Sequence, residues 1–502
     1  MKISQLNTRI EQTWDRIFGT LDRDGQPLNI QIRRMIVEAI ETGLLAPDTR
    51  LPSSRELAVR LGIGRNTVTA AYQQLIDEGF LAARQRSGIF VQKITRPALT
   101  PPSPKRAADW SGRFAIKPSR LAQITKPRDW RSYPYPFLSG QYDPGLFPTN
   151  NWREAVRVTS SVQEIQVWAA DMIDDDDPDL IEQLRMKVLP RRGILAHPGE
   201  IIITLGSQQA LSMIVHLFIG RDTTVGLEDP GYPDLRNMVK LSTRKSVFLT
   251  SDADGLVPDE AFARCDIAFL TAGHQCPTTT VMPLERRRDL VEAARRDDVL
   301  LVEDDYDADL SIEADSDIPS LRSLGGGGHI IYVGSFSKVL APGLRIGYVV
   351  APKPVIDELR VLRRLMLRHP PTNNQRSLAA FIALGHYRQH LARAGEAIRE
   401  RATLIARLLP VVMPSCVFHR GDGATSFWIE GPPLFDARPV VEAARAQGIL
   451  IEAGDIFFSD PARGRNMFRI GFSSIATNRI ESGIVRLGAI VEDHCRRAAA
   501  SY

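Results

Sequence analysis

The amino-acid sequence predicts two folded modules of different class: a small, mainly helical module with a β-hairpin, and a larger α/β module with a mainly parallel sheet. Three observations favour this division. Three amphipathic helices and a hairpin fit residues 27–91, seven prolines fall within residues 96–135, and β-branched runs alternate with helical segments from residue 136 onward. A chain of 502 residues has room for both modules and a linker. We therefore predict boundaries at 1–95, 96–135 and 136–502.

Composition and charge are those of a globular protein with a basic N-terminal part. Hydrophobic residues make up 43% of the chain and charged residues 24%, which is ordinary for a folded domain. The net charge is +4, but residues 1–106 carry 16 Lys and Arg against 10 Asp and Glu, while the rest carries 47 against 49. This asymmetry favours a nucleic-acid-binding module attached to a nearly neutral one.

Targeting, membrane and metal signals are absent from the sequence. The N-terminal run MKISQLNTRIEQTW lacks the apolar core of a signal peptide, and no apolar run reaches the roughly 18 residues of a membrane helix. The four cysteines, Cys265, Cys276, Cys416 and Cys495, show no CxxC spacing, which argues against a disulfide framework and a zinc site. We expect a cytoplasmic protein with no bound metal and no membrane partner.

The first module is predicted to contain three helices. The first runs through PLNIQIRRMIVEAIETG. The second starts at LPSSRELAVRLG, where Ser53 and Glu56 have the spacing of a capping box and Gly62 can end the helix. After a three-residue turn, RNTVTAAYQQLIDEGF gives the third helix. Helix, glycine turn and helix form the helix-turn-helix pattern.

DNA contacts are predicted at the start of the third helix, because that end of a helix-turn-helix enters the major groove. Arg65, Asn66 and Thr67 occupy this position, and FLAARQRSGIFV predicts two strands around a turn near Gly88, a wing beside the helices. The alternative interpretation is a small helical module that binds another protein.

The runs LPSSRELA, LGIGRNTVTAAYQQLIDEG and SGIFV resemble, over about 65 residues, the winged helix-turn-helix of GntR-family bacterial transcription regulators. The resemblance implies a double-stranded DNA operator as partner, and DNA contacts by Arg55, Arg65, Thr67 and the wing turn at Gly88. Asp48 stands where this family often has glycine.

The linker and the larger module differ sharply in composition. A proline-rich, weakly periodic run such as 96–135 favours an extended, semi-rigid tether. Six apolar runs then predict strands of a sheet covered on both faces. These runs are EIIIT, TTVGLE, IAFLT, VLLVED, IIYVGS and IGYVVA.

Lys338, within YVGSFSKVLAPGLRIGY, raises a question, because burying an ammonium group is costly unless it is paired or loses its proton. A neutral lysine can form a Schiff base with a carbonyl compound. Taken alone, the lysine favours the simpler interpretation of an exposed side chain after a short strand. Asp304 follows an apolar strand 34 residues earlier, so one strand-helix-strand unit separates the two residues. A lysine and a carboxylate in this arrangement are what pyridoxal phosphate needs.

Other residues fit the same cofactor. The strand, glycine turn and helix of IIITLGSQQALSMIVHLF suit a phosphate at the helix start near Ser207. Ser335, Ser337 and Arg345 surround the lysine with further donors. Tyr232 follows a strand end, where its ring could stack on a ligand or simply pack in its loop.

Residues 136–490 resemble fold-type I pyridoxal-phosphate enzymes, the aspartate aminotransferase superfamily, through FLSGQYDPGLFPTNNW, LGSQQA, EDPGYP, GHQCPTTTVMPLERR, EDDYD, SFSKVLAPGLRIGY and FRIGF. The resemblance implies that Lys338 is the Schiff-base lysine, Asp304 the partner of the pyridine nitrogen and Tyr306 the partner of the ring hydroxyl, the three catalytic positions. It implies ring stacking by Tyr232 and a substrate or effector carboxylate at Arg469. The implied phosphate ligands are Gly206, Ser207, Gln208, Ser335 and Arg345.

Two segments depart from that family. GHQCPTTT has Cys276 and Thr279 where relatives usually have an aromatic residue and a glycine, which leaves a ring contact by Gln275 in doubt. DMIDDDDPDLIEQLR lacks the tyrosine that relatives supply to the partner subunit's phosphate. The acidic run 174–177 fits a solvated turn before a helix or, alternatively, a site for a cationic ligand.

A winged helix joined by a long linker to an aminotransferase-like domain resembles the MocR-type transcriptional regulators over nearly the whole chain. This resemblance implies a pyridoxal 5'-phosphate-dependent, homodimeric regulator that senses a small amino-group effector, carrying a carboxylate, by aldimine exchange at Lys338. The alternative is a working aminotransferase with an accessory DNA-binding head.

Overall fold

The computed structural model describes residues 14, 17–18, 21–23, 25–93, 109–307, 319–325 and 327–500. The chain divides into two compact units, Met1–Arg113 and Phe114–Tyr502. Residues 114–135, which the sequence assigns to the linker, belong to the second unit. The remainder of the predicted linker falls largely outside the described residues, which resume at Asp109.

The first unit contains the helices and the hairpin that the sequence predicts. Its elements are α1 (Leu28–Glu41), α2 (Ser54–Leu61), α3 (Arg65–Asp77), β1 (Leu81–Arg84) and β2 (Gly88–Val91). Ser53 and Glu56 form the capping box of α2, and Gly62 ends that helix in the left-handed conformation at φ 61°. β1 and β2 pair antiparallel, which gives the wing. A buried cluster that includes Ile36, Leu57 and Leu75 joins the three helices.

Asp48 and the wing are connected. Asp48 has φ 64°, in the region that glycine enters most easily, which explains why glycine is common at this place in the resembling family. Its amide donates to the carbonyl of Val91 at 2.9 Å, and its carboxylate pairs with Arg84 on β1. The Arg84 guanidinium also lies over the Phe90 ring, 4.4 Å from its centroid.

The second unit contains two main sheets, one of seven strands and one of four. Its strands are β3 (Tyr135–Pro136), β4 (Ile201–Thr204), β5 (Val225–Glu228), β6 (Ser246–Leu249), β7 (Ser251–Asp252), β8 (Gly255–Leu256), β9 (Ile267–Leu270), β10 (Leu300–Asp305), β11 (Ile330–Ser335), β12 (Gly347–Val350), β13 (Val417–His419), β14 (Ser426–Glu430), β15 (Ile449–Leu450), β16 (Glu452–Ala453) and β17 (Met467–Gly471). The seven-stranded sheet has the order β4-β12-β11-β10-β9-β5-β6, and the four-stranded antiparallel sheet has the order β13-β14-β17-β16.

Strand direction in the large sheet follows the predicted α/β pattern, with one reversal. β11, β10, β9, β5 and β6 run parallel, whereas β12 is antiparallel to both β11 and β4. All six predicted strands belong to this sheet. The carboxyl ends of β10 and β11 therefore meet at one edge, where ligands bind in such sheets.

Helices cover both faces of the sheet and pack beside the smaller one. They are α4 (Thr149–Val158), α5 (Val162–Trp168), α6 (Pro178–Gln183), α7 (Ser207–Phe218), α8 (Pro233–Ser242), α9 (Glu260–Ala263), α10 (Leu284–Arg296), α11 (Leu321–Leu324), α12 (Lys353–Leu367), α13 (Thr372–Ala383), α14 (His386–Val412), α15 (Ala437–Ala446) and α16 (Thr477–Ala500). Among the described residues, no helix has both the length and the apolar character that crossing a membrane requires.

The acidic run before α6 is solvated only in its first half, where Asp174 and Asp175 are exposed. Asp177 is buried and caps α6, accepting a hydrogen bond from the amide of Leu180 at 2.9 Å. Asp176 is also buried and pairs with Arg360 and Arg363 of α12. The N-cap role therefore agrees with the prediction. The predicted solvation of the second half of the run is wrong, because Arg360 and Arg363 of α12 pair with Asp176. These arginines are far along the chain, so the sequence around the run does not indicate them.

Candidate functional site

A cavity of about 430 Å³ lies at the carboxyl ends of β10 and β11, within the second unit. It gathers residues from segments that are far apart in the chain. Its lining residues are Ile124, Lys126, Ser139, Gly140, Gln141, Ser207, Gln208, Tyr232, Asp234, Thr271, Cys276, Asp304, Tyr306, Ser335, Ser337, Lys338, Pro342, Arg345, Glu452 and Arg469. Nearly all residues predicted to hold the cofactor, and the predicted effector residue, are therefore brought together here.

Lys338 lies three residues beyond β11 and points its amine into the cavity. Nζ donates to Oγ of Ser139 at 3.5 Å and lies 5.2 Å from the centroid of the Tyr306 ring. Burial lowers the pKa of Lys338, although the nearby Asp307 carboxylate opposes that shift. Burial therefore shifts Lys338 towards the neutral amine, which is the nucleophilic form.

Asp304 lies near the end of β10, beside the strand that leads to Lys338, and is 7% exposed. It faces Val333 across the parallel ladder of β10 and β11. Its Oδ1 is buried and accepts no hydrogen bond. Burial, together with Asp305, raises the pKa of Asp304 to about 7. A buried carboxylate with an unused oxygen can accept a hydrogen bond from a cationic ring nitrogen, which would also restore its ionised form.

The start of α7 and Arg345 form a cradle for an anion. Gly206 precedes the helix with φ 79°, and a β-carbon there would stand 3.2 Å from the Arg345 guanidinium. Arg345 itself adopts φ 53°, and its Nη2 donates to the carbonyl of Leu205 at 2.5 Å. Helix N-termini and guanidinium groups both favour phosphate. Gly206 is predicted as a ligand, but it shapes this cradle without lining the cavity.

Two serines complete the cradle on the Lys338 side. Ser335 Oγ accepts a hydrogen bond from the amide of Ser337 at 3.2 Å, and the buried Oγ of Ser337 has no partner. Both residues line the cavity. Their hydroxyl groups are available as donors to an oxygen-rich ligand.

The aromatic side of the cavity is formed by Tyr232 and Tyr306. The hydroxyl of Tyr232 donates to Oε1 of Gln208 at 2.7 Å and lies 3.3 Å from Oδ2 of Asp234. Gln208 is thus occupied by a tyrosine and by Asp234, its Nε2 lying 3.3 Å from Oδ2. Burial raises the pKa values of both tyrosines, so their hydroxyl groups stay protonated donors.

Arg469, the predicted carboxylate ligand, already has a partner. Its Nε and Nη2 each lie 2.9 Å from Oε2 of Glu452, and its guanidinium stacks over Phe457 at 4.6 Å. Although burial works against ionisation, Glu452 keeps the pKa of Arg469 raised. An incoming carboxylate would therefore share Arg469 with Glu452 or displace it.

Several lining residues escaped the sequence analysis, chiefly Lys126, Ser139, Thr271 and Glu452. Glu452 could have been noticed, because it is a carboxylate inside the apolar run GILIEAG. Lys126 gave no such signal, since it stands in a proline-rich segment predicted to be an extended tether. In the segment GHQCPTTT, Cys276 lines the cavity but Gln275 does not. The side-chain amide of Gln275 instead donates to the carbonyl of Pro230 at 2.6 Å.

The candidate DNA-binding residues lie on the first unit. Arg55, Arg65 and Asn66 are exposed and Thr67 is half-buried at the start of α3. Nε of Arg65 donates to the Ser54 hydroxyl at 3.3 Å, which connects α3 to α2.

The wing turn carries a further cation. Gly88 is exposed at φ 116°, and a β-carbon there would stand 3.0 Å from Nε of Arg50. Arg50 is exposed. Sequence analysis missed Arg50 because its contact with the wing depends on the fold of the first unit.

Chemically, the cavity can hold a flat ligand with a phosphate, a basic ring nitrogen and a carbonyl group. The cradle suits the phosphate, the unused oxygen of Asp304 suits the ring nitrogen, and the Lys338 amine suits the carbonyl carbon.

Comparison with protein families and known proteins agrees with this geometry. A family described as "Aminotransferase class I and II" matches residues 139–487, and one described as "Bacterial regulatory proteins, gntR family" matches residues 28–91. The HTH-type transcriptional regulator TauR of Rhodobacter capsulatus is 40% identical over 464 residues, covering 92% of this chain and 96% of TauR. The probable rhizopine catabolism regulatory protein MocR of Rhizobium meliloti is 29% identical, with 92% and 94% covered.

Among solved structures, LysN of Thermus thermophilus is similar to this chain. It is an α-aminoadipate aminotransferase, crystallised with N-(5'-phosphopyridoxyl)-L-leucine. The two chains are 26% identical with a TM-score of 0.69, covering 79% of this chain and all of LysN.

Proposed function

The chain belongs to the MocR-type transcriptional regulators, in which a gntR-family helix-turn-helix precedes an aminotransferase class I and II domain, and from this premise we propose that it binds operator DNA and senses an amino-group metabolite through pyridoxal 5'-phosphate held at Lys338. The observation that carries the proposal is that Lys338 and Asp304, with its unused buried oxygen, line one cavity.

The proposed ligands of the cofactor are those that the sequence suggested. Asp304 would accept a hydrogen bond from the ring nitrogen, Tyr306 would donate to the ring hydroxyl, and Tyr232 would lie against the ring. Ser335, Ser337 and Arg345, with the start of α7 at Ser207 and Gln208, would hold the phosphate. Gly206 would contribute by leaving space for Arg345.

The proposed sensing step is an exchange of amines. Pyridoxal phosphate supplies an aldehyde carbon that bonds reversibly to amines and a ring that draws electrons from that carbon. Burial lowers the pKa of Lys338, so its amine would be the group that holds the cofactor and that the amine of an effector would replace. Arg469 would bind the effector's carboxylate.

Regulation requires that the effector favour one state of the protein over another, because a ligand shifts an equilibrium only through differential affinity. We infer that exchange at Lys338 changes the second unit and that this change alters operator binding. We also infer, from the family resemblance, that the regulator is a homodimer. Light scattering on the purified protein is expected to give twice the chain mass of 55.8 kDa.

The cofactor assignment is tested by reduction and peptide mapping. Borohydride treatment of the pyridoxal phosphate-loaded protein should fix the cofactor to the peptide that contains Lys338, with no label on the neighbouring cavity lysine, Lys126. A label elsewhere, or no label after addition of the cofactor, would contradict the assignment.

A working aminotransferase with an accessory DNA-binding head is the second candidate, because binding an amine and turning it over use nearly the same residues. Incubation with amino acids and a keto-acid acceptor separates the two. Repeated turnover would favour the enzyme, whereas a single exchange per chain would favour the sensor.

A further inference from the structure

A segment at the start of the second unit reaches the cavity. Residues 114–135 run along the second unit, where the Asn237 side-chain amide donates to the carbonyl of Ala122 at 2.8 Å. Ile124 and Lys126 then line the cavity itself. A segment predicted to be an extended, semi-rigid tether therefore forms part of the cavity wall.

Lys126 is held at the cavity by two contacts. Its ammonium group donates to the carbonyl of Ser139, whose hydroxyl group is the hydrogen-bond partner of Lys338. Nζ also lies 3.6 Å from Oε1 of Glu452, and the side chain is 22% exposed. Burial lowers the pKa of Lys126, and the nearby cations Lys338 and Arg469 add to this effect while Glu452 opposes it.

The charges around Lys126 are unequal once the cofactor's needs are met. Phosphate would engage Arg345, the ring nitrogen would engage Asp304 and the aldehyde carbon would engage Lys338, while Asp234 keeps its charge and accepts hydrogen bonds from Tyr232 and Gln208. Around Lys126 itself, the charged lining residues are Arg469 and Glu452, so that two cations share one carboxylate.

Glu452 lies close to both cations, Lys126 and Arg469. Its Oε2 is engaged by Arg469, and its Oε1 accepts no hydrogen bond although Lys126 lies nearby. Two cations around one carboxylate leave one positive charge unbalanced, so the site complements a ligand with one additional negative charge.

We propose that Lys126 is a specificity-determining residue of the effector site, and that it binds, together with Arg469, the acidic group of an amino-carboxylate effector. The inference rests on the proposed function, because it takes the cofactor to occupy the rest of the cavity. It adds a residue outside the segments that resemble aminotransferases. It also makes effector binding depend on the segment that continues along the chain to the DNA-binding unit.

The test uses full-length, pyridoxal phosphate-loaded protein and pairs of probes that differ only in the carboxylate: β-alanine with ethylamine, and 4-aminobutanoate with propylamine. Binding is followed by the change in visible absorption. Lys126→Met removes the charge, Lys126→Arg keeps it, and Lys117→Met is the matched control, since Lys117 is exposed in the same segment.

The expected result is that at least one amino carboxylate binds the parent protein more tightly than its amine. Lys126→Met should weaken the binding of that amino carboxylate about tenfold or more, because a charge-assisted hydrogen bond is lost. The affinity for the matching amine should change less than about twofold, and Lys126→Arg should recover part of the lost affinity for the amino carboxylate. Lys117→Met should behave as the parent.

Three outcomes would overturn the inference: no amino carboxylate binds the loaded parent, carboxylates show no advantage over amines, or Lys126→Met keeps the parent's preference. Cofactor absorption is recorded for every variant first. A parent protein that takes up no pyridoxal phosphate overturns both this inference and the proposed function, whereas a loaded protein that fails the probe test overturns the inference alone.

A second measurement does not depend on the spectrum. Hydrogen exchange of backbone amides in residues 120–130 should change when the tightest amino carboxylate is added to the parent, because the ligand competes for Lys126. The same addition to Lys126→Met should leave these amides unchanged. An unchanged exchange pattern in the parent would count against the proposal.

Discussion

Asp176 and Arg363 form an ion pair from which water is excluded: Oδ1 and Nη1 lie 2.5 Å apart, and the two side chains are 1% and 0% exposed. Arg360 contacts the other carboxylate oxygen at 3.0 Å. The pair connects the turn before α6 to α12, because Arg363 belongs to that helix. Nη1 of Arg363 also donates to the carbonyl of Ile203 at 2.7 Å, which connects the same group to β4. Breaking a buried pair leaves an uncompensated charge, which is costly.

Asp176→Ala should therefore destabilise the second unit by about 3–5 kcal/mol, with two cations of α12 left without their carboxylate. Calorimetry of the thermal unfolding of the full chain measures this loss of unfolding free energy. Asp174→Ala is the matched control from the same acidic run, because its pair with Arg364 is exposed at 67% and 52% and should contribute at most about 1 kcal/mol. Equal effects of the two substitutions would contradict this account of the acidic run.

Arg65→Ala should weaken operator binding by about 1–3 kcal/mol if Arg65 makes a bidentate base contact at the start of α3. Fluorescence anisotropy at fixed salt, with an operator selected from a random duplex library, gives the affinity. Arg34→Ala on α1 serves as control, since Arg34 is also exposed but lies outside the predicted recognition surface. Undiminished binding by Arg65→Ala would show that α3 is not the recognition helix.

Lys338→Ala should leave folding, dimerisation and basal operator binding intact, because none of these requires the amine. It should abolish the effector-dependent change in operator binding, since the exchanging amine is gone. A transcription reporter with and without effector measures this, alongside a transamination assay.

The enzyme alternative predicts a different pattern for the same variant: turnover would disappear and regulation would persist. An effector response that is unchanged in Lys338→Ala would refute sensing by amine exchange.

The cofactor-free protein should lose stability as pH rises towards 7. Burial raises the pKa of Asp304 to about 7, so the folded state holds this proton more tightly than the unfolded chain does. The stabilisation is complete below the ordinary pKa of aspartate and is lost as pH rises through the folded pKa. The slope should be at most about 1.4 kcal/mol per pH unit for this group.

Asp304→Asn should remove that share of the slope, which unfolding midpoints measured between pH 5 and pH 8 would reveal. Part of the slope should remain, because burial also raises the pKa of Glu228 to about 8. Asp254→Asn, at an exposed turn, is expected to leave the slope unchanged. Superimposable pH curves for the parent and Asp304→Asn would contradict the assigned protonation.

Local patterns account for most of what could be predicted of the fold. Each of the six predicted strands is a short run rich in β-branched and other apolar residues. In the structure, each of these strands begins and ends within two residues of the predicted run. β6 was not predicted; it is a four-residue edge strand in which Phe248 is 42% exposed and Leu249 is 1% exposed. The reversal of β12 was also missed, since an apolar run carries no information about strand direction.

Some residues of the candidate site could likewise be predicted from the sequence, and others could not. Lys338 and Asp304 could be predicted because consecutive parallel strands end at the same edge. Lys126 and Glu452 could not, because they are 326 residues apart in sequence and meet only through tertiary packing. The proline content of residues 114–135 correctly indicates the lack of α-helix in this segment. It does not reveal that the segment packs as part of the second unit.

The left-handed turn at Asp48 bears on how salt controls operator binding. Each protein cation that neutralises a DNA phosphate releases about 0.9 of a counterion from the duplex, and this release sets the salt dependence of affinity. Arg84 carries its own anion in Asp48, so as long as that pair holds, the wing brings a neutral dipole rather than a charge towards DNA. Counting the exposed arginines of the first unit therefore overestimates the number of ions released, and the measured salt slope should report only the cations that no carboxylate engages.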